Sequence, residues 1–138
     1  MRQAHGRLTI ATRGAGLVEV TDAVTAWLDA QAITDGLLTV FCRHTSASLI
    51  INENAAPAVR RDLERYFQRL APESRDYEHD DEGPDDMPAH LKTALTNVSL
   101  GIPVVDGRMV LGTWQGLYLF EHRAAPHRRT LALHVIGE

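Results

Sequence analysis

Short stretches in which apolar and polar residues alternate, separated by turn signals, dominate this chain of 138 residues. Alternation with a period of two is typical of strands that bury one face. It predicts strands over residues 2–12, 17–20, 37–43, 49–51, 99–105, 108–111, 116–123 and 128–136. The Asp106-Gly107 pair lies between two of these stretches and is typical of a hairpin turn. The pattern therefore predicts a chain rich in antiparallel strands.

Three other stretches repeat apolar residues at helical spacing. Their expected inward residues are Val24, Trp27 and Leu28 in the first, Val59, Leu63, Phe67 and Leu70 in the second, and Leu91 and Leu95 in the third. Thr21 or Asp22 is the expected N-cap of the first helix and Asn54 that of the second, whereas the third is expected to begin near Pro88. Strands with interspersed helices and a final run of strands predict an α+β fold.

Composition limits the class of protein. A chain of this length is expected to form one domain over residues 1–138. Its one cysteine, Cys42, excludes an internal disulfide and is expected in a reducing compartment, so we predict a cytoplasmic location. No apolar stretch approaches the roughly 20 residues that span a bilayer, and no basic stripe or DNA-binding motif is present. Membrane and nucleic-acid partners are therefore not expected.

Residues 78–90 carry most of the negative charge. Six carboxylates and two histidines, His79 and His90, fall within these thirteen residues. The whole chain has a net charge of −4, but without the six carboxylates it has 12 acidic against 14 basic residues. Such a segment is either a solvated loop or a site that handles a cation or a proton. Charge alone does not decide between them.

His44 follows a predicted strand and precedes a run of hydroxyl residues, Thr45, Ser46 and Ser48. Hydroxyls and turn amides together can bind an anion. The competing interpretation is a turn between strands that Ser and Thr stabilise by bonding to the backbone.

His90 lies four residues after Asp86, so the two side chains share one face of the third helix. Asp86 could equally be the N-cap of that helix. His44, His79 and His90 would together supply three nitrogen ligands with an open position, which is a catalytic zinc pattern. Alternatively, the carboxylates of the segment could hold Mg²⁺. The spacing of the histidines matches no short metal motif.

The segment Gly112-Thr-Trp-Gln-Gly116 predicts either a tight bend where the backbone approaches a ligand, or a bulged strand with Trp114 in the core. In the strand that follows, alternation places Glu121 and Arg123 on the same face as Leu117 and Leu119. An inward Glu121 needs a partner, which could be Arg123, a metal or a substrate group. The alternative is an exposed pair at the strand end.

These segments, in this order, resemble the YjbQ-like family, also called secondary thiamine-phosphate synthase enzymes. The resemblance rests on residues 44–49, 51–54, 77–83, 85–92, 99–102, 107–117 and 121–123, and covers about residues 3 to 138. It implies an α+β fold in which a β-sandwich of mainly antiparallel strands is flanked by helices, and assembly as a homotrimer.

The resemblance also implies a function. Members of the family are credited with a weak thiamine-phosphate synthase activity, which joins hydroxymethylpyrimidine diphosphate to a thiazole phosphate and releases pyrophosphate. The clustered polar positions of the family fall on residues of three expected roles. These are metal ligands for Zn²⁺ or Mg²⁺ (His44, His79 and His90), substrate-binding residues (Ser46, Asn52, Asp86, Thr113 and Gln115) and catalytic residues (Glu121 and Arg123). Ser48, in the hydroxyl run after His44, is a further expected substrate-binding residue.

Three functions are consistent with these residues. The first is the thiamine-phosphate synthase-type transferase, acting on a small phosphorylated substrate. The second is a metal-dependent hydrolase or transferase that acts on another small phosphorylated metabolite in the same pocket. The third is a non-catalytic module that binds a small ligand without turnover.

Overall fold

A computed structural model describes all 138 residues, which form eight strands and three helices joined by loops. The strands are β1 Arg2–Ala11, β2 Gly16–Glu19, β3 Gly36–Cys42, β4 Ala47–Glu53, β5 Ser99–Val105, β6 Arg108–Met109, β7 Gln115–Glu121 and β8 Arg128–Gly137. The helices are α1 Thr21–Gln31, α2 Pro57–Leu70 and α3 Asp86–Leu95. The predicted α+β class is confirmed.

The strands form two antiparallel sheets. The larger has five strands in the order β1-β8-β3-β5-β6, and the smaller has three in the order β2-β7-β4. The two-residue hairpin between β5 and β6 holds Asp106 and Gly107 at positive φ (51° and 75°), as a turn of this kind requires. The hairpin predicted from the Asp-Gly pair is therefore confirmed.

Apolar residues on the facing sides of the two sheets make the main core. Leu38, Val40 and Leu133 of the larger sheet pack with Leu49 and Leu119 of the smaller one, and all five are almost completely buried. Helix α1 adds Val24 and Leu28 to the same cluster. Because strand side chains alternate, each core position is followed by one that faces away from the core.

Helix α2 covers the other face of the smaller sheet. Leu63 and Phe67 pack against a second cluster formed by Leu17, Ile50, Tyr118 and Phe120. The contact includes an edge-to-face pair of the Phe67 and Phe120 rings, whose centroids are 5.3 Å apart. The smaller sheet is therefore buried on both faces, and its central strand β7 holds six consecutive buried residues, Gly116–Glu121.

The helix caps differ from those predicted. Val20 and Ala56 occupy the N-cap positions of α1 and α2, and neither helix has a side-chain cap. Asn54 instead donates from its side chain to Glu19. The predicted caps were wrong because the hydroxyl and amide groups found partners in neighbouring strands.

The buried face of α3 is also different. Leu95 is 59% exposed, whereas Asp86, Pro88, Ala89 and Lys92 are the buried residues of this helix. The prediction that Leu95 faces inward was wrong, because the helix turns its small and charged residues toward the sheets. With this orientation, the side chain of Asp86 contacts Arg123, which follows the end of β7.

No helix of the chain has both the length and the apolar character needed to cross a membrane.

The two leucines Leu49 and Leu95 test this packing directly. Leu49→Ala should lower the free energy of unfolding by about 2–5 kcal/mol, because it opens a cavity between the sheets. Leu95→Ala should change it by less than about 0.5 kcal/mol, as expected of an exposed position. Urea unfolding followed by circular dichroism measures both. A loss at Leu95 as large as that at Leu49 would contradict the orientation of α3.

Candidate metal centre and its surroundings

Asp86 is the centre of the polar cluster that joins the acidic segment to the sheets. It is the first residue of α3, and its side chain is only 4% exposed although it carries a charge. One carboxylate oxygen, Oδ1, accepts a hydrogen bond from Arg123 at 2.8 Å. The other, Oδ2, lies 2.7 Å from Nε2 of His79 and 3.2 Å from Nε2 of His90.

Each imidazole has its second nitrogen next to an acceptor. Nδ1 of His90 lies 3.0 Å from the carbonyl oxygen of Thr45, and Nδ1 of His79 lies 3.5 Å from a carboxylate oxygen of Asp81. A carbonyl oxygen can only accept, so Nδ1 of His90 carries a proton. Nε2 of both rings faces the same oxygen of Asp86. This arrangement is typical of metal-ligating histidines, whose other nitrogen is held by an outer acceptor.

The surrounding charges shift the pKa values of these groups in opposite directions. The hydrogen bond to Asp86 raises the pKa of His79 above its ordinary value. Burial alone would raise the pKa of Asp86, but hydrogen bonding from His79 and the charge of Arg123 outweigh it and lower that pKa. Asp86 is therefore an ionised carboxylate, available to a cation or a proton.

The donor set fits a divalent metal. One ligand atom from each of His79, Asp86 and His90 can be chosen so that all three lie within 4.8 Å of one another. Two imidazole nitrogens and one carboxylate oxygen suit Zn²⁺ or Fe²⁺ and leave positions open, whereas Mg²⁺ prefers oxygen ligands. Glu82 places a further carboxylate oxygen 3.2 Å from Nε2 of His79.

Arg123 holds two carboxylates of the acidic segment in place by hydrogen bonds. Its guanidinium donates to Asp85 at 3.0 Å, to Asp86 at 2.8 Å and to the backbone oxygen of Glu82 at 3.0 Å. These bonds give Arg123 a structural role, since all of them stay within the chain, and its expected catalytic role stays a prediction. A planar guanidinium suits such a paired arrangement because its donors are fixed in space.

His44 lies outside the cluster of ligand atoms. Its Nε2 accepts a hydrogen bond of 2.8 Å from the backbone N–H of Thr130. Burial and the charge of Arg129 lower the pKa of His44, so the ring is neutral. The structure brings Asp86, and not His44, together with the other two histidines that sequence reasoning grouped as metal ligands.

His44 and His90 line the same open cavity, which has a volume of about 710 Å³. Its other walls include Phe41 and Val98, which are apolar, and Thr45 and Thr93, which are polar. The hydroxyl of Thr93 is buried and has no hydrogen-bond partner. The cavity therefore combines apolar surface with a neutral imidazole next to the Asp86 cluster, as small-molecule sites commonly do.

Glu121 is completely buried and its partner is Arg129, not Arg123. Nε of Arg129 donates to Glu121 at 2.8 Å, and Thr12 donates to the same oxygen at 2.7 Å. Burial would raise the pKa of Glu121, but these bonds outweigh it and lower that pKa. The structure does not place Glu121 where a ligand could reach it, because every bond of its carboxylate is made inside the protein.

The two serines after His44 are also engaged internally. Ser46 accepts a hydrogen bond from Arg129 at 3.0 Å, and its side chain is half-buried. Ser48 is fully buried, and its hydroxyl lies 2.8 Å from Nε2 of His122 and 2.6 Å from the hydroxyl of Thr96. The hydroxyl of Ser48 is therefore held by partners within the fold, and its expected contact with substrate stays a prediction.

Asn52, Thr113 and Gln115 lie at the other end of β7. Asn52 pairs with Gly116 in the sheet, and the side chain of Gln115 accepts from the backbone of Gly112. Gln115 and Glu121 are the two ends of the seven-residue strand β7, so they lie about 20 Å apart. Trp114 in the same loop is 62% exposed, so the interpretation that placed it in the core was wrong.

The comparisons with known proteins agree on one family. A family model described as "UPF0047 protein YjbQ-like" matches residues 6–138. The chain belongs to this family. A UPF0047 protein of Synechocystis sp. is 51% identical over 99% of this chain and 94% of its own length. UPF0047 protein YjbQ of Escherichia coli O157:H7 is 45% identical over 95% of this chain and 96% of its own length.

Solved structures show the same fold for this YjbQ-like chain. The structure of a hypothetical protein from Aeropyrum pernix K1 matches with a TM-score of 0.89 and 33% identity, over 98% of this chain and 99% of the other. An uncharacterised conserved protein of the YjbQ/UPF0047 family from Clostridium acetobutylicum matches with a TM-score of 0.86 and 33% identity, over 94% and 98%.

Sequence reasoning missed two charged residues that this YjbQ-like fold buries, Arg129 and Lys92. Alternation along β8 did contain the signal for Arg129, because it shares the inward parity of Leu131 and Leu133. It is therefore the natural partner of an inward Glu121. For Lys92 no such signal existed, since the orientation of a short helix depends on contacts that are distant in sequence.

The buried pair of Glu121 and Arg129 should contribute strongly to stability. Glu121→Gln should lower the free energy of unfolding by about 3–5 kcal/mol, because Arg129 loses its charged partner inside the protein. Asp62→Asn, which breaks the exposed pair with Arg65, should cost less than about 1 kcal/mol and is the matched control. Replacing both partners by Leu and Met should restore part of the loss, as measured by urea unfolding.

The pH dependence of stability has a defined sign. Because folding lowers the pKa of Glu121, the unfolded chain takes up this proton first as the pH falls below the ordinary value of 4.5. The contribution of the pair is therefore present above that value and is lost as the pH falls through the lower pKa of the folded state. A Glu121→Gln variant whose stability fell as steeply in this range as that of the natural protein would contradict the assignment.

Proposed function

We propose that this protein is a metal-dependent enzyme that acts on a small phosphorylated molecule at the cluster of His79, Asp86 and His90. The observation that carries the proposal is the shared orientation of two Nε2 atoms toward one ionised carboxylate oxygen, next to a cavity of about 710 Å³. A metal held by three such ligands would have further coordination positions that substrate oxygens could occupy.

The metal would supply positive charge where a departing phosphate or diphosphate group gathers negative charge. The protein's own residues do the positioning. Arg123 fixes the plane of the Asp86 carboxylate, and the carbonyl oxygen of Thr45 fixes His90 with Nε2 directed at Asp86. Neutral His44 faces the same cavity, where it can orient a substrate group without adding charge.

Within this class we put forward the thiamine-phosphate synthase-type transfer that the family resemblance implies. In that reaction a carbon–nitrogen bond forms between the pyrimidine methylene group and the thiazole nitrogen, while the bond from the same carbon to diphosphate breaks. Phe41 and Val98 give the cavity an apolar wall that suits a flat heterocycle. Thr93 lines the same cavity as His44 and His90, and its unpartnered hydroxyl would orient the phosphate.

We further propose that the chain works as a homotrimer in the cytoplasm. The outer face of the larger sheet exposes four apolar side chains, Leu37, Phe41, Val105 and Ile136, and Leu37 pairs directly with Ile136 across β3 and β8. Packing between subunits would cover this face. Phe41 also lines the cavity, so the metal centre would then lie beside the subunit interface. The buried free thiol of Cys42 suits a reducing compartment.

Metal binding tests the centre directly. The protein should bind one Zn²⁺ per chain, and His79→Ala, Asp86→Asn and His90→Ala should each weaken binding by at least tenfold, because each removes one of three ligands. Isothermal titration with Zn²⁺, Mn²⁺, Fe²⁺ and Mg²⁺ on apo-protein measures this. Unchanged metal content in both His79→Ala and His90→Ala would contradict the proposal.

His44→Ala separates the two roles that histidines have here. It should leave Zn²⁺ affinity unchanged while lowering turnover, because His44 lines the cavity but lies outside the ligand cluster. Tyr66→Ala, at an exposed aromatic ring on α2, should change neither quantity and is the control. Turnover is measured by release of pyrophosphate from the pyrimidine diphosphate, and by a panel of phosphate esters. Higher turnover on one of those esters would favour the other metal-dependent function, and tight binding without turnover the non-catalytic module.

The proposed trimer has its own test. Analytical ultracentrifugation should give a mass three times the 15.3 kDa of the chain. Leu37→Lys should give monomers, because it places a charge on the apolar sheet face, whereas Leu70→Lys on α2 should remain a trimer. Leu70 has almost the same exposure as Leu37 (49% against 47%), so it controls for the charge added. A natural protein that sediments as a monomer removes this proposal.

A further inference from the structure

Arg43 has no role in the site described so far, yet it lines the cavity of His44 and His90. Among the ten residues that line this cavity it is the only Arg or Lys, and none of the ten is Asp or Glu. The residue is exposed, and its guanidinium makes no hydrogen bond or ion pair within the chain. By contrast, carboxylates hold the guanidinium groups of Arg123 and Arg129. The donors of Arg43 are therefore free for a ligand.

His44 offers a second donor to the same cavity. Its Nε2 accepts a hydrogen bond of 2.8 Å from the backbone N–H of Thr130, and a ring nitrogen that accepts such a bond carries no proton. Burial is the main cause that lowers the pKa of His44, and the charges of Arg129 and Arg43 lower it further, so the ring is neutral. The single proton of the ring is therefore on Nδ1.

Nδ1–H of His44 is available to a ligand. This nitrogen has no hydrogen-bond partner within the chain and is not enclosed by the protein, whereas the ring lines the cavity. A backbone amide thus fixes the tautomer, because Thr130 occupies the opposite nitrogen. The ring cannot accept a proton or a metal at Nε2 unless that bond breaks, so its free function is that of a neutral donor.

The two donors belong to one cavity although the residues are neighbours in sequence. Consecutive side chains of a strand point to opposite faces, but β3 ends at Cys42, and both Arg43 and His44 follow that end. The charge of Arg43 is close enough to the ring to contribute to the lowered pKa of His44. One potential acceptor nearby, the carbonyl oxygen of Thr45, is already bonded to Nδ1 of His90. This side of the cavity therefore offers a positive charge and an N–H donor, without a carboxylate to compete for them.

We propose that the guanidinium of Arg43 and Nδ1–H of His44 bind a phosphate group of the substrate. A planar guanidinium can donate to two oxygens of one phosphate, and the imidazole N–H can donate to a third. This inference rests on the proposed function for the identity of the molecule that carries the phosphate. It adds the residues that hold this group, and it makes Arg43 a residue that determines specificity for phosphorylated molecules.

Inorganic phosphate is a sufficient probe, because the two donors need no metal. Full-length protein labelled with ¹⁵N is freed of metal with a chelator, dialysed, and titrated with phosphate at constant pH and ionic strength. The backbone amides of Arg43, His44 and Thr45 and the ring nitrogens of His44 should shift to saturation. If none of these signals reaches saturation, the proposal is wrong.

Two arginine variants separate binding at this site from general attraction of anions. Arg43→Gln should weaken phosphate binding about tenfold, because it removes a charged donor. Arg61→Gln removes the same charge from an exposed position on α2 and should bind phosphate as the natural protein does. Equal weakening in the two variants would overturn the proposal, since the effect would then be one of net charge.

Nitrogen NMR of the His44 ring gives an independent check on the natural protein. Long-range proton–nitrogen spectra should show a neutral ring that is protonated on Nδ1, whereas a ring protonated on Nε2 would lack the donor and would overturn the proposal. His44→Leu should also weaken phosphate binding, and His44→Asn, whose amide can place an N–H near the position of Nδ1, should restore part of it. Natural affinity in His44→Leu would contradict the role of the ring.

Failure of this phosphate site can be told apart from failure of the metal centre. Zn²⁺ binding without a saturating phosphate shift would keep the metal centre and overturn the phosphate site. A saturating shift that depends on Arg43, in a protein that binds no Zn²⁺, would support the phosphate site and remove the metal-dependent function.

Discussion

The buried ion pair between Glu121 and Arg129 is the interaction on which the rest of the site depends. It joins the end of β7 to the start of β8. Thr12, which follows β1, donates a hydrogen bond to Glu121, and Arg129 donates one to Ser46, which precedes β4. Two residues beyond Glu121, Arg123 leaves the strand in a fixed direction and bonds to Asp85 and Asp86. Asp86 in turn orients His79 and His90. A charge pair inside the fold thus sets the geometry of groups near its surface.

A buried ion pair does not stabilise a core more than apolar residues of similar size would. Removing two charges from water costs free energy that their attraction only partly returns, and well-packed apolar residues often do as well. The pair here also holds four chain segments in register through hydrogen bonds that apolar side chains could not make. Asp86 and Lys92 are two further charged residues that the fold buries. Charges kept in this way are typical of functional sites.

The sequence was sufficient for most elements and for part of the site. Alternation located all eight strands within a few residues, because each strand has one face in the core between the sheets. Spacing on α3 correctly placed Asp86 and His90 on one face, since residues four apart are neighbours in any helix. It failed for Leu95, whose exposure depends on how α3 is rotated against β4. It also could not show that His44 bonds to Thr130, because that contact joins residues 86 positions apart in the chain.

The two ends of β7 carry different groups of predicted site residues, and this separation constrains any mechanism. His79, Asp86 and His90 lie near the Glu121 end, whereas Asn52, Thr113 and Gln115 lie near the Gln115 end, about 20 Å away. A small phosphorylated molecule cannot touch both ends of one chain. If both groups contact one ligand, the second group must come from another copy. The exposed loop that carries Thr113 and Trp114 is available for such a contact, because its side chains have no place in the core of their own chain. A homotrimer would then do more than cover the apolar sheet face, since the neighbouring subunit would complete the site.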